Sequence, residues 1–417
     1  MITDLLFPFA TVTTKGPDPS GRSNFEKVDR YPMYLHLNRK QKEIQEKVRA
    51  LVAAEIAPQA SEIDARDEFP RVSYEAFVQS GLLRLSLPPE YKGQEADATT
   101  LCLVIEEISK ASAASALLVF PTQALIRTIR EVGSEEQKRR IFSEMAQGDK
   151  LCGFCLTEPN NGSDAGSLQT RAVPEGDQYI LNGTKTFITL GPHAHFYLVF
   201  VRTGPGKRTA GISALVVPRD TPGLTFGKKE KKMGLGGSVT TEMVFQNAPV
   251  ARDNLLLQEG EGWRILSRHA NVMRVWGASS MALGIAEGAY DAAMAFARQR
   301  TQFKRPIASF QAVAFMLADM KTAIEAAKSL IFRTAAMIDS REGTFHDIET
   351  LVSMCKYYTS DMAMKVTTDA VQIFGGAGYM KGVPVERMMR DAKAVQIFDG
   401  TNQIQRMIVS KNLIMGK

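Results

Sequence analysis

Near the C-terminus, the segment IFDGTNQIQR places a carboxylate, Asp399, beside Gly400 and three amide side chains, between apolar runs. A buried acid there is costly unless it has a partner or a purpose, and the plainer alternative is that Asp399 caps a helix. Upstream, VQIFGGAGYMKG carries Gly375, Gly376 and Gly378, which break a helix and permit close approach of a ligand or another backbone. In LTEPNNGSD, Thr157 offers a hydroxyl, and Gly162 and Ser163 offer backbone donors suited to holding a ring carbonyl or a polar tail. An ordinary loop between two elements is the alternative for that segment.

Other chemistries lack their signatures. There is no P-loop, no GxGxxG after a predicted strand and no GxSxG elbow. His193 and His195 form HAH with no carboxylate pattern nearby, so no metal site is expected. Cys152 and Cys155 share a CxxC-like spacing, but they lie in the apolar run LCGFCL, and buried free thiols in a reducing compartment are the expectation. The net charge of +6 over 417 residues is spread along the chain, which does not indicate nucleic-acid binding.

The elements that must position these residues read as mainly α with a central β domain. A helical domain is expected over 38–150, where QKEIQEKVRALVAAEIAP sets Ile44, Val48, Leu51, Val52 and Ile56 on one face and Pro58 closes the segment. Ser134 with the acids after it suits a helix start. Over 151–255 short β-rich runs alternate with turns, as in YILNGTKTFIT, FYLVFVRT and ISALVVPRD, giving a compact antiparallel β domain. Helical periodicity returns over 256–417 with many Ala and Met residues, as in a close-packed bundle. The cleft left between such layers is a common place for a large cofactor. Residues 1–37 read as an extension, since MITDLLFPFA is short and has neither a basic leader nor a small-residue cleavage site. No run reaches the roughly 18 apolar residues of a membrane span, and the cytoplasm is the expected location.

The segments LTEPNNGSD, RQRTQFKRPIASFQAVAFMLADM and TDAVQIFGGAGYMKGVPVERMMRDAKAVQIFDGTNQIQR closely resemble the acyl-CoA dehydrogenase family, in the same order and from about Asn38 to the C-terminus. The resemblance implies an FAD-dependent oxidation of a coenzyme A thioester, with electrons leaving through an electron-transfer flavoprotein. It implies that Phe154, Leu156, Thr157, Phe187 and Thr189 meet the flavin ring, while Gly162 and Ser163 line the flavin phosphates and the pantetheine arm. Arg300, Phe303, Gln311, Gln372 and Gly376 would reach the dinucleotide of a neighbouring subunit, Thr401 and Gln403 would close on the cofactor, and a homotetramer follows from that sharing. Asp399 would be the base, with Gly400 against the substrate and Phe120 shortening the acyl cavity.

Two departures from the family pattern stand out. Most members carry Glu before Gly-Thr, whereas this chain has Asp399, one methylene shorter, and even about 1 Å of misplacement can cost on the order of a hundredfold in rate. The readings are ordinary α,β-dehydrogenation of a short or branched acyl-CoA, 1,4-dehydrogenation of a cyclic enoyl thioester such as cyclohex-1-ene-carboxyl-CoA, or a non-catalytic flavin or acyl-CoA binding protein. If the base has moved, Asp97 in KGQEADATT is the candidate second acid, with a helix N-cap as its alternative. The family also carries an arginine nine residues before the glycine of ALGIA. That place holds Val275, with Arg274 one earlier. A one-residue shift turns a helical side chain by about 100°, so Arg274 is not expected in the catalytic set.

Overall fold

The computed structural model describes residues 37–205 and 208–415, so the expected extension lies outside it except for Leu37. Six helices come first. α1 (Arg39–Leu51) starts on a capping box in which Asn38 accepts from Gln41 N at 2.9 Å and Gln41 accepts from Asn38 N at 3.0 Å. Its apolar face, Ile44 and Val48, continues as Val52 and Ile56 through a π-helical turn, Val52–Ile56. α2 (Ala60–Arg66), α3 (Arg71–Ser80), α4 (Ala98–Ala111), α5 (Ala113–Val132) and α6 (Glu135–Met145) follow. α6 starts on Ser134, and Gln137 closes its box.

Beyond Leu151 the period changes to that of strands: β1 (Cys152–Cys155), β2 (Arg171–Glu175), β3 (Gln178–Thr189), β4 (Phe196–Arg202), β5 (Ile212–Pro218), β6 (Leu224–Phe226) and β7 (Thr240–Ala251). They form one sheet in the order β1-β4-β2-β3-β7-β6, with β5 also paired to β4. The expectation was an antiparallel domain, and most pairings are antiparallel, but β1 runs parallel to β4 from Cys152↔Phe196 to Cys155↔Val199, and β2 meets β4 in parallel at Arg171↔Arg202. A parallel neighbour needs a long crossover, and the stretch between β1 and β4, which contains β2 and β3, supplies it. The buried faces of α5, α6 and the sheet share one core, in which Leu125, Ile129 and Phe142 meet Leu198, Phe200 and Val216. The Thr122 hydroxyl on α5 accepts from Cys152 N at 3.2 Å, fixing where β1 begins.

The C-terminal helices are α7 (Gly262–Ile265), α8 (Ser280–Gln299), α9 (Gln311–Ser340), α10 (Phe345–Phe374), α11 (Pro384–Val395) and α12 (Asn402–Met415). A short hairpin of β8 (Thr301–Gln302) and β9 (Arg305–Pro306) joins α8 to α9. α8 lies so close to α4 that a Cβ at Gly284 would stand 2.3 Å from the Glu106 carbonyl oxygen. Buried charges at this contact are paired, as they must be to be tolerated: Lys328 of α9 reaches Glu106 at 2.7 Å and Glu287 at 3.0 Å, and Lys110 reaches Glu287 at 2.7 Å. Among the described residues, no helix is long and apolar enough to cross a membrane.

Candidate active site

One group of expected residues gathers where β1 ends. Leu156 and Thr157 leave the strand, and the Thr157 carbonyl accepts from Thr186 N at 2.9 Å, which sets them beside the end of β3. There the register against β7 slips between Lys185 and Ile188, and Phe187 adopts φ +57°. The bulge turns the Phe187 ring outward, so that it is 66% exposed in a strand whose neighbours Thr186 and Ile188 are buried. Phe154 packs partly buried on the sheet core with Phe200, at 5.4 Å between ring centroids.

The loop after Thr157 is held by a buried ion pair. Glu158 Oε1 accepts from Lys185 Nζ at 2.8 Å and from Thr170 N at 2.8 Å, and Oε2 accepts from Gln169 N at 2.5 Å. Burial pushes this carboxylate up, but the Lys185 ammonium and the backbone amides outweigh it and hold the group below the ordinary glutamate value. Gly162 and Ser163, on the outer arc of the loop, are exposed. Glu158→Gln, which leaves the Lys185 ammonium buried without its counter-charge, is expected to cost about 3–5 kcal/mol. Urea unfolding measures it, and an unchanged midpoint would show that the pair does not hold the loop.

A second group sits on the outer end of the helical part. Arg300 ends α8, Phe303 is at the tip of the β8–β9 hairpin with 88% exposure, and Gln311 opens α9. Gln372 and Gly376 lie where α10 ends, and the stacking of Phe296 on Phe374 at 4.2 Å brings the ends of α8 and α10 together. Arg300, Phe303, Gln311, Gln372 and Gly376 are all exposed, and nothing lies within 4 Å of the place a Gly376 Cβ would take.

The third group is the loop between α11 and α12. Asp399 has φ +55° and Gly400 φ +83°, so two consecutive residues are left-handed. The loop keeps this shape because side chains bind its carbonyls. Arg274 Nε donates to Asp399 O at 2.7 Å, Gln405 Nε2 donates to Asp399 O at 3.2 Å and to Gly400 O at 3.1 Å, and Lys356 Nζ donates to Gly400 O at 2.8 Å. A Cβ at Gly400 would meet Gln405 Nε2 at 2.7 Å, which reserves the position for glycine. Thr401 starts α12 with its carbonyl accepting from Gln405 N at 3.0 Å, and Gln403 points to the exposed side.

The carboxylate of Asp399 does not cap a helix. Its Oδ2 is sealed from solvent with no hydrogen-bond partner, as are Arg274 Nη1 and Gln405 Oε1. Three such orphans gather around this one loop, where water or a bound group would complete the bonding. Burial pushes the Asp399 carboxyl above the ordinary aspartate value, with Arg274 and Lys356 pulling the other way. Arg274, left out of the catalytic set on its displaced number, nevertheless faces this loop. The segment Val275–Ser279 is a π-helical turn, which absorbs one residue more than an α-turn and leaves Arg274 facing the loop despite its displaced number.

Asp97 is the N-cap of α4: Oδ1 accepts from Thr100 N at 2.7 Å and Oδ2 accepts from Gln41 Nε2 at 3.1 Å. Phe120 is buried with its ring edge-on to Trp276, at 5.6 Å, and against Gly277 of the π-helical turn. All four cysteines are buried and free, and the imidazole of His195 accepts from Leu151 N at 3.2 Å. Lys356, Gln405 and Asn402 were missed from sequence. Lys356 carried a signal, since it stands on the buried stripe Val352, Cys355, Thr359 and Ala363 of α10, where a lysine needs a reason.

A curled sheet between two helical parts, an outward aromatic at the β3 bulge and a buried unpaired carboxylate on a pinned loop fit a flavoprotein oxidoreductase. The chain belongs to the acyl-CoA dehydrogenase family, matching its N-terminal domain over residues 38–149, its middle domain over 153–248 and its C-terminal domain over 260–414. It is 45% identical over 383 residues to an acyl-CoA dehydrogenase of Bacillus subtilis, covering 92% of this chain and 100% of that protein. It is 42% identical over 380 residues to a cyclohex-1-ene-1-carbonyl-CoA dehydrogenase of Geobacter metallireducens, covering 91% and 99%. The butyryl-CoA dehydrogenase structure from Megasphaera elsdenii superposes with a TM-score of 0.87 at 37% identity, covering 92% and 100%. The family is FAD-dependent. The residues at the end of β1 and in the β3 bulge fit that cofactor: hydroxyl and amide groups for a ring's heteroatoms, an outward aromatic, and exposed glycines that leave room for phosphates.

Proposed function

We propose that the chain oxidises the acyl group of a short or cyclic acyl-CoA, with Asp399 removing the proton. The observation that carries this reading is the Asp399 carboxylate, whose Oδ2 is buried and unpaired on a loop fixed through its carbonyls. Bound FAD supplies the acceptor for the two electrons that leave the substrate as hydride. Thr157, Thr189, Leu156 and Phe187 orient it, and Gly162 and Ser163 make room for its phosphates and the pantetheine arm. Gly400 borders the substrate, and Phe120, backed by Trp276, limits the length of the acyl chain.

A cyclic substrate is favoured by the short acid. In a ring that already carries an α,β double bond, the vinylogously acidic γ hydrogen is the one removed, and a 1,4-dehydrogenation leaves a conjugated diene. One relative covered above is named a cyclohex-1-ene-1-carbonyl-CoA dehydrogenase. Asp97 assists in this reading only by leaving its cap on α4, because both of its oxygens are engaged there. Arg300, Phe303, Gln311, Gln372 and Gly376 hold the dinucleotide of a neighbouring subunit in a homotetramer, with Thr401 and Gln403 closing on the cofactor. The exposure of Phe303, Phe315 and Tyr379 at that end supports burial by another copy. An electron-transfer flavoprotein takes the electrons, and the cytoplasm is the location.

The test is a panel of linear, branched and cyclic CoA thioesters mixed anaerobically with the purified protein, with the double bonds of each product located. Fast bleaching of the yellow flavin band by a cyclic or short substrate is the expected result. Fast bleaching by long straight chains alone would overturn the substrate assignment.

A further inference from the structure

Lys356 is among the largest side chains in the protein with no solvent exposure, and nothing in the reaction proposed above uses it. Its ammonium donates to two neutral acceptors, the Gly400 carbonyl at 2.8 Å and Asn402 Oδ1 at 3.0 Å. A buried ammonium bound only to neutral oxygens is under strain from desolvation. Accordingly, burial drives Lys356 down to about 7, against the pull of Asp399 and with Arg274 pushing in the same direction as burial.

The surroundings fix where that ammonium points. Asn402 donates through Nδ2 to Asp361 Oδ1 at 2.7 Å and Ser360 Oγ at 2.9 Å, so its Oδ1 is left to face Lys356. Asp361, one turn along α10, is itself occupied by Arg406 at 2.6 Å and Gln396 at 2.6 Å. The charged groups around Lys356 are thus Asp399 on the loop, Arg274 before α8, and Asp361 on its own helix with Arg406 of α12 bound to it. Asp361 is matched by Arg406, while the Asp399 carboxylate has no bonded counter-charge.

We propose that Lys356 is a positioning residue for Asp399, holding the Asp399–Gly400 turn in its left-handed shape through the Gly400 carbonyl and favouring the ionised carboxylate by its charge. The inference rests on the reading of Asp399 as the base. Arg274 holds the first carbonyl of the turn and Lys356 the second, with Gln405 bridging both. Of these, Lys356 alone enters from α10, so its loss leaves the Gly400 carbonyl to Gln405 alone and removes the charged donor from Asn402 Oδ1. Removal of its charge also makes the carboxylate harder to ionise, which moves proton removal to higher pH.

The test uses full-length FAD-loaded protein carrying Lys356→Gln, which keeps an amide donor but not the charge, and Lys356→Met, which removes both. Three quantities are read: flavin content, the limiting rate of flavin reduction between pH 5 and 9, and KM against kcat. Both variants are expected to keep FAD and to change KM little. The limiting rate should fall by on the order of tenfold or more, and the acid limb of the rate profile should move up by about one pH unit. Lys356→Met should be slower than Lys356→Gln. An unmoved acid limb in flavin-loaded variants would overturn the proposal, and so would loss of flavin and fold in both, since the ammonium would then hold the fold and not the base. Asp399→Asn, run alongside, separates the two readings: if it still reduces flavin at the wild-type rate, Asp399 is not the base and Lys356 positions none.

Discussion

Replacing Asp399 by asparagine is expected to abolish flavin reduction by CoA thioesters while the FAD stays bound. Asparagine keeps the size and the left-handed backbone tolerance of aspartate, and the groups that hold the loop, Arg274, Gln405 and Lys356, bind main-chain carbonyls that the substitution does not touch. What is lost is the ability to accept a proton, a contribution of about 10²–10⁴ in rate for a placed general base. Anaerobic stopped-flow bleaching measures it, and reduction within threefold of wild type would remove Asp399 from the mechanism.

The same variant makes a second statement through stability. The Asp399 carboxyl is raised by burial above its value in an unfolded chain. For a group of that kind, the favourable contribution is fully present below the unfolded value and is lost as pH rises through the folded value. Above the folded value the wild type holds an ionised, desolvated carboxylate that the asparagine variant lacks. The variant is expected to melt at an equal or higher temperature there, with the gap closing as the pH falls through the folded value toward the unfolded one. Activity runs in the opposite direction: turnover requires the ionised form, so the rate rises with pH through a limb placed above the ordinary aspartate range.

Restoring the missing methylene should have the next largest effect. Because the turn is held through both of its carbonyls, it has little freedom to advance a short acid toward the substrate or to withdraw a long one. Asp399→Glu is therefore expected to shift preference between substrates: up for a linear short-chain thioester and down for a cyclic enoyl thioester, by on the order of a hundredfold in their ratio. The kcat/KM values for one substrate of each kind give the ratio directly. A ratio that stays constant would mean that reach of the acid does not choose the substrate.

Much of this was legible from sequence, but unevenly. Periodicity and turn residues suffice for the succession of helices, strands and helices, because each element advertises its buried face, as Ile44 and Val48 do on α1. The parallel pairing of β1 with β4 was not visible, since alternation reports which side of a strand is buried and not which strand lies next to it. At the site, Asp399 and Thr157 announced themselves as polar groups in apolar settings. Phe187 came only through the family resemblance, because a bulge that reverses a side chain leaves no period to read. Arg274 was discounted by counting residues along an assumed α-helix, and the π-helical turn after it breaks that count. The partners of Asp97 were half legible: its cap on α4 was an open alternative, whereas the bond from Gln41, fifty-six residues away, depends on how α1 docks.

The turn at Asp399 also bears on how the chain matures. Its carbonyls are tied to Arg274, 125 residues earlier, to Lys356 and to Gln405, the last of which belongs to α12. Contacts of such separation form late, after loop closure has been achieved elsewhere. A chain still emerging from the ribosome, or one lacking α12, has the acid but not its geometry. On the reading of Asp399 as the base, its geometry is complete only once α10 and α12 have docked on the loop.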